Sequence, residues 1–389
     1  MKKVWIVLFL IYNLQAKSFE LFLQEALQKS PYLQARALSV EMAAEEAVKI
    51  QRYKNPTLAL EFSEFSAADA ESAKGYKVAL TQPLRLWGVS QDRAVLAETL
   101  QHKSNAYYTL KQAEFIRLLS LLYVDYREAL FLEELAAEEL RVTKKIESIV
   151  KERYASGSSA KVKHLLAKLD TKQAANNYTQ QSLQRLSAYY RLLALSGLGT
   201  EVQIESGHTF ELIQKDTFAD SAGVVYQKAL RENALADAKL QANKIEWMDL
   251  YLEYEKEPDQ KISRVGIAIP LALFNQKNEE RNLAVLQAKQ RDLDIKNVQR
   301  ELSLKRKRIQ KELHKLKELA QKRAELYDAQ KEMLLLYEDA YKIAKVKLIE
   351  LQGIKTQMIK TKEQLIGLEA QIDRNIIEYN YNAGAYNEK

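Results

Sequence analysis

Two hydrophobic periods take turns along this chain. Phe115, Leu119, Leu122, Tyr126 and Ala129 are spaced 4, 3, 4 and 3, and Ile309, Leu313, Leu316 and Ala320 are spaced 4, 3 and 4. That average of 3.5 residues is the seam of a supercoiled helix with partner helices. Elsewhere the period drops to two. In 76–86, Tyr76, Val78, Leu80, Leu84 and Leu86 share one face, with Lys77, Ala79, Thr81 and Arg85 on the other. In 264–273, Val265, Ile267, Ile269, Leu271 and Leu273 oppose Arg264, Gly266, Ala268 and Ala272. Upstream of each lies a second alternating run, Leu58, Leu60 and Phe62 in the first case and Met248, Leu250, Leu252 and Tyr254 in the second. Stretches of about ten residues with one apolar and one polar face suit half-buried sheet or a membrane barrel strand.

The helical stretches set the scale. Between Gly88 and Gly157, and again between Pro270 and Gly353, the sequence holds neither Gly nor Pro. A helix over the first of these runs about 100 Å at 1.5 Å per residue, too long for a compact globule. The expected elements are strands near 56–66 and 75–86 with helices 88–155 and 158–196, then strands near 247–257 and 262–274 with helices 276–343 and 346–381. The fold class is mainly α with a small β part.

This layout is a duplication. QPLRLWG (82–88) is echoed by IPLALFN (269–275), QEALQKSPYLQAR (24–36) by QKALRENALADAK (227–239), and Tyr154 by Tyr341 at the same offset as the first pair. The repeats are therefore 17–196 and 224–389, joined by a connector, 197–223, that carries four of the eleven glycines. A duplicated unit of two strands and a long helical hairpin supplies two similar staves of a larger cylinder. Four strands cannot close a barrel, whose interior fills properly from about eight strands upward. Three copies give twelve strands, though counting alone also allows two or four copies.

Composition narrows the class. Charged residues make up 29% and the mean hydropathy is −0.37, so a multi-span helical membrane protein is excluded. The net charge of +7 is not gathered into the basic and aromatic platform that nucleic acid requires. Residues 1–16 begin with Lys2 and Lys3, run apolar from Val4 to Tyr12 and end at Ala16, the layout of an export signal. Cysteine is absent, which removes disulfides, thiol nucleophiles and lipid-modified cysteine. His102, His164, His208 and His314 are scattered, so no metal site is expected and no cofactor. Asp125, Glu128 and Glu133 lie along one long helix without a base or pocket, and no phosphate loop or nucleophile elbow occurs, so no catalytic residues and no enzyme activity are expected. The basic run KRKRIQKELHKLK (305–317) keeps Leu313 and Leu316 in register and reads as a solvated helix face in preference to a charged lumen wall or an adaptor contact.

In this order and spacing, FELFLQEALQKSPYLQAR (19–36), GYKVALTQPLRLWG (75–88), RYASGSSAKVKHLLAK (153–168) and VGIAIPLALFNQKN (265–278) resemble the TolC family of outer-membrane efflux proteins, the outer membrane factors. The PLALFN wording and the Trp-Gly after QPLRL lean toward the cation-efflux branch of CzcC- and CusC-like members. The resemblance implies a homotrimer with a 12-stranded β-barrel in the outer membrane of a Gram-negative bacterium and an α-helical barrel in the periplasm. It implies a passive channel fed by an inner-membrane transporter through a periplasmic adaptor, with type I protein secretion as a variant. It places the periplasmic tips and adaptor contacts at Tyr154, Gly157 and Ser158 and at Tyr341, Ala344 and Lys345. It sets Glu350 in a constricting acidic ring, where Gly353 takes the other usual acidic position. Ala344 stands where the family has Gly, a costly exchange if the backbone there is left-handed. Leu80, Leu84, Ile267 and Ile269 are the expected lipid-facing strand residues. From another class, a soluble periplasmic coiled-coil adaptor or tether accounts for the export signal and helices but not for the duplicated strand pairs.

Overall fold

The computed structural model describes residues 16–67, 70–199, 201–213 and 221–387. The export segment 1–16 falls outside them except for Ala16. The order of elements is α1 (Phe19–Lys29), α2 (Pro31–Gln51), β1 (Thr57–Ala67), β2 (Ala70–Arg85), α3 (Val89–Ala155), α4 (Lys161–Ser196), α5 (Ala222–Gln241), β3 (Trp247–Lys256), β4 (Lys261–Ala268), α6 (Asn278–Lys342) and α7 (Leu348–Asn382). Helices α3 and α6 run 67 and 65 residues without a break. No helix among the described residues is long and apolar enough to cross a membrane.

Local signals explain the ends. Ser18 caps α1 by accepting from the Leu21 N–H, and Ser30 turns extended because it precedes Pro31, which then opens α2 at its first position. Helix α4 closes on Gly197 at φ 71°, where an added Cβ would stand 2.6 Å from the Pro31 ring.

The chain divides into two compact units. One comprises residues 1–35, 111–221 and 301–389. Its helices share apolar cores rather than one. Val142, Ile146 and Val150 of α3, Ala167 of α4, Leu334 and Tyr341 of α6, and Leu348, Leu351 and Met358 of α7 form one cluster. Ile309 and Leu313 of α6 meet Ile376 and Tyr379 of α7 in another. Along α3 the buried stripe is wider than the expected seam: Ile116, Tyr123 and Val124 are buried beside Phe115, Leu119 and Tyr126, because the helix is packed on more than one side. The connector is also more than a linker. Lys17 and Ile204 pair as a parallel bridge, the Tyr123 hydroxyl donates to the Glu205 carbonyl at 2.7 Å, and the rings of Phe19, Tyr123, His208 and Phe210 meet there at tilted and edge-to-face angles.

The other unit comprises residues 36–110 and 222–300 and contains a four-stranded, fully antiparallel sheet in the order β1-β2-β3-β4. Strand β2 starts earlier than expected, at Ala70. Strand β4 stops at Ala268, so Ile269 and residues 270–274 are not strand, contrary to the alternation. Pro270 has no N–H to offer the ladder, and the chain then turns on itself with the Leu273 N–H donating to the Leu271 carbonyl at 2.9 Å.

Candidate channel-forming surfaces

The register sorts the sheet into two faces of opposite chemistry. Leu58, Leu80, Leu252 and Val265 stand in one cross-strand row, flanked by Leu60, Val78 and Tyr254 on one side and by Leu250 and Ile267 on the other. Leu84 continues that face opposite Met248, and the row of Phe62, Tyr76, Lys256 and Lys261 ends it, aromatic on β1 and β2 and basic on β3 and β4. From Tyr76 to Leu84 the apolar face covers about 27 Å of strand, or about 20 Å of height at the tilt usual in barrels. It is open: Leu60 is 60% exposed, Val265 75% and Ile267 59%.

The opposite face is an ion-pair network. Lys77 lies 3.1 Å from Glu253 and 3.9 Å from Glu61, and Arg264 bridges Glu253 and Glu255. Gly266 sits here because the ring of its cross-strand partner Tyr251 lies over it, 2.2 Å from where a Cβ would stand. Among the described residues both outer strands, β1 and β4, have one neighbour each in the sheet.

The helical hairpins turn by the same device. After α3 the Gly157 N–H bonds the Tyr154 carbonyl (3.0 Å) and the Ser158 N–H the Arg153 carbonyl (2.8 Å). After α6 the Ala344 N–H bonds the Tyr341 carbonyl (3.2 Å) and the Lys345 N–H the Ala340 carbonyl (2.9 Å). These are Schellman closures around a left-handed residue, Gly157 at φ 75° and Ala344 at φ 62°. Ala344 thus holds a conformation that costs an L-residue about 1–2 kcal/mol, less the backbone entropy a glycine would lose. Ala344→Gly is expected to stabilise this tip by about 1 kcal/mol. Slower hydrogen exchange at the 344 and 345 amides checks it; unchanged protection would show that the turn does not depend on that φ.

The tip residues are not all surface. Tyr154 is 40% exposed and stacks on His164 at 5.7 Å, whereas Tyr341 is 2% exposed and belongs to the core. Its backbone carbonyl accepts from Arg153, whose guanidinium also lies 4.8 Å over its ring. Arg153 therefore straps one tip to the other. Glu350, expected in a constriction, is exposed and turned back on its own helix, accepting from the Lys347 N–H at 2.9 Å.

No protein-family model and no curated protein matches the chain. Solved structures do match. The outer membrane protein VceC of Vibrio cholerae superposes with a TM-score of 0.77 at 14% identity, over 94% of this chain and 95% of that one. CusC, described in terms of transmembrane channel formation, gives 0.78 at 14% identity over 94% and 91%. The open state of the outer membrane channel MtrE of Neisseria gonorrhoeae gives 0.78 at 13% identity over 94% and 88%. The chain has the TolC-type outer-membrane channel fold.

Within this channel fold, polar residues that the sequence did not flag hold the helices together. Arg127, 7% exposed, donates to the Asp373 carboxylate and to the His208 carbonyl, tying α3 to α7 and to the connector. Lys355, 2% exposed, occupies a seam position of α7 between Leu351 and Met358 and lies 2.8 Å from Asp170 of α4. Arg374 spans Asp125 and Glu128, which gives those carboxylates a structural role. Glu378 accepts from Arg117 and Lys305; burial would raise its carboxyl, but these two hydrogen bonds hold it below the usual carboxylate range. Among the described residues no group of three His, Cys, Asp or Glu side chains is placed to hold a metal.

Proposed function

We propose that this protein is an exported protomer of a homotrimeric channel in the outer membrane of a Gram-negative bacterium, extending into the periplasm. The observation that carries this reading is the two-faced sheet, whose outer strands each leave one edge unpaired among the described residues. In water, such a sheet would expose a band of leucine, valine and isoleucine and two rows of unpaired backbone groups. In a bilayer the apolar face is solvated by lipid, and pairing of β4 with β1 of the next copy leaves no edge. Three copies make twelve strands, an even number that keeps every neighbour antiparallel. Exposed Leu165, Leu169 and Leu183 on α4 are then covered by neighbouring copies.

Conduction is passive through the water-filled interior, lined in the barrel by the polar face. An inner-membrane pump supplies the energy and a periplasmic adaptor joins it to the tips. Ile343 and Ile349, 64% and 71% exposed beside Ala344 and Lys345, are the apolar contacts such an adaptor finds, together with Tyr154 and Ser158. Opening moves one tip away from the other and breaks the Arg153–Tyr341 strap. Glu350 contributes negative charge to the mouth from its capping position.

The deciding test is the native mass of the species extracted by mild detergent from outer membranes. Three protomer masses and ion-conducting activity in planar bilayers are expected. A monomer, or recovery in the soluble periplasm alone, would instead make the chain an adaptor. Glu350 is tested by two variants. Glu350→Gln keeps the helix cap and removes the charge, so a lowered cation preference with unchanged tip stability is expected. Glu350→Ala loses both, with about 1 kcal/mol less tip stability. Reversal potentials identical to wild type in both variants would remove Glu350 from the mouth.

A further inference from the structure

At the end of the sheet where the long helices begin, the polar face carries a shallow, open recess of about 730 Å³, within the size range of ligand sites. Its position on that face follows from the register, since Trp247 is paired with Arg85 and Asp249 with Ala268, in the same alternation as Glu253 and Arg264. Trp247 forms one wall. Lys54, Arg93, Lys244 and Lys277 bring four positive charges to the lining against two carboxylates, Glu246 and Asp249.

The cations fall into two pairs. Arg93 and Lys277 both bond Glu246. Burial would raise that carboxyl, but these hydrogen bonds hold it below the usual range, so this part of the lining stays ionised and structurally occupied. Lys277 keeps its place at a non-glycine φ of 55°, a conformation that persists only where the surroundings enforce it. Among the described residues the other pair has no carboxylate partner. The Lys54 ammonium lies 5.0 Å over the Trp247 ring, and Lys244 reaches only the side-chain oxygen of Gln276, at 3.1 Å. Both lysines are exposed. The N-terminus of α6 follows immediately after Lys277, and Glu279 and Glu280 in its first turn offset the partial positive charge there.

We propose that this recess is a binding station for a small multivalent oxyanion, of phosphate type, held between Lys54 and Lys244 against the Trp247 wall. The inference rests on the channel reading, because it places the station on the face that lines the duct. In a trimer the three recesses form a basic collar below the ion-paired band of the barrel. The collar concentrates anionic solutes as they pass.

The test uses the full-length protein purified in detergent, with pyrophosphate and inorganic phosphate as probes. Calorimetric titration should show pyrophosphate binding that weakens about tenfold or more in Lys54→Gln/Lys244→Gln. The same charge change at the far end of the sheet, Lys256→Gln/Lys261→Gln, should leave it unchanged. Equal weakening in both variants would reduce the effect to general charge, and no binding in the wild type would overturn the station. In planar bilayers pyrophosphate should reduce single-channel current through the wild type and spare the Lys54→Gln/Lys244→Gln channel. Undiminished current in the wild type would overturn its placement in the duct. Absence of any channel, with a monomeric mass, would instead overturn the channel reading, while the calorimetry would still report on the recess.

Discussion

Leu80→Arg is expected to abolish assembly in the outer membrane, whereas Ala79→Arg, one residue earlier, leaves it intact. Leu80 stands in the row with Leu58, Leu252 and Val265, on the apolar face that the proposed channel turns to lipid. An arginine near the middle of a barrel's lipid face costs about 2–4 kcal/mol, and three copies bring that to about 6–12 kcal/mol per trimer. Ala79 points the other way, beside its cross-strand partner Glu253 in the ion-pair network, where an arginine finds both water and a carboxylate. The measurement is the yield of detergent-extracted trimer from isolated outer membranes. Equal yields would mean that the two faces do not meet different solvents, and the membrane assignment would fall with them.

The second large effect lies among the helices. Arg127→Met is expected to destabilise the protein by about 3–5 kcal/mol, because it leaves the Asp373 carboxylate buried without its cation. The side chains of Arg127 and Asp373 are only 9% and 12% exposed, so water cannot replace the lost partner. Arg127→Met/Asp373→Leu should regain most of the loss, since a buried pair contributes little beyond a well-packed apolar replacement. Thermal unfolding followed by circular dichroism decides it. If the double variant melts as low as the single one, the bond from Arg127 to the His208 carbonyl, and the anchoring of the connector, matter more than the ion pair.

How much of this was legible beforehand depends on whether the information is periodic. The long helices and the face assignment of Leu80, Leu84 and Ile267 could be read because a supercoil and a strand each impose a repeat on side-chain chemistry. The second tip was only half legible: placing Ala344 against Gly157 raised the question of a left-handed residue without answering it, and both positions adopt that conformation. Ile269 misled because side-chain alternation continues into 269–273 while the backbone donor stops at Pro270. Arg153, Arg127 and Lys355 were hidden for a different reason. A lone cation in an apolar seam reads as an interruption of the pattern, and nothing local names its partner. Asp170 lies 185 residues from Lys355, and Asp373 lies 246 from Arg127.

The sequence by itself therefore determined the long helices, the strand pairs and the two chemistries of the sheet, since these follow from helix and strand periods acting over short range. Only the tertiary structure decided which charges are buried and with whom. It turned Glu350 onto its own helix, and it gathered Lys54, Lys244 and Trp247 around one recess. Such contacts join residues remote in the chain, and their energies depend on distance and burial, which no local pattern encodes.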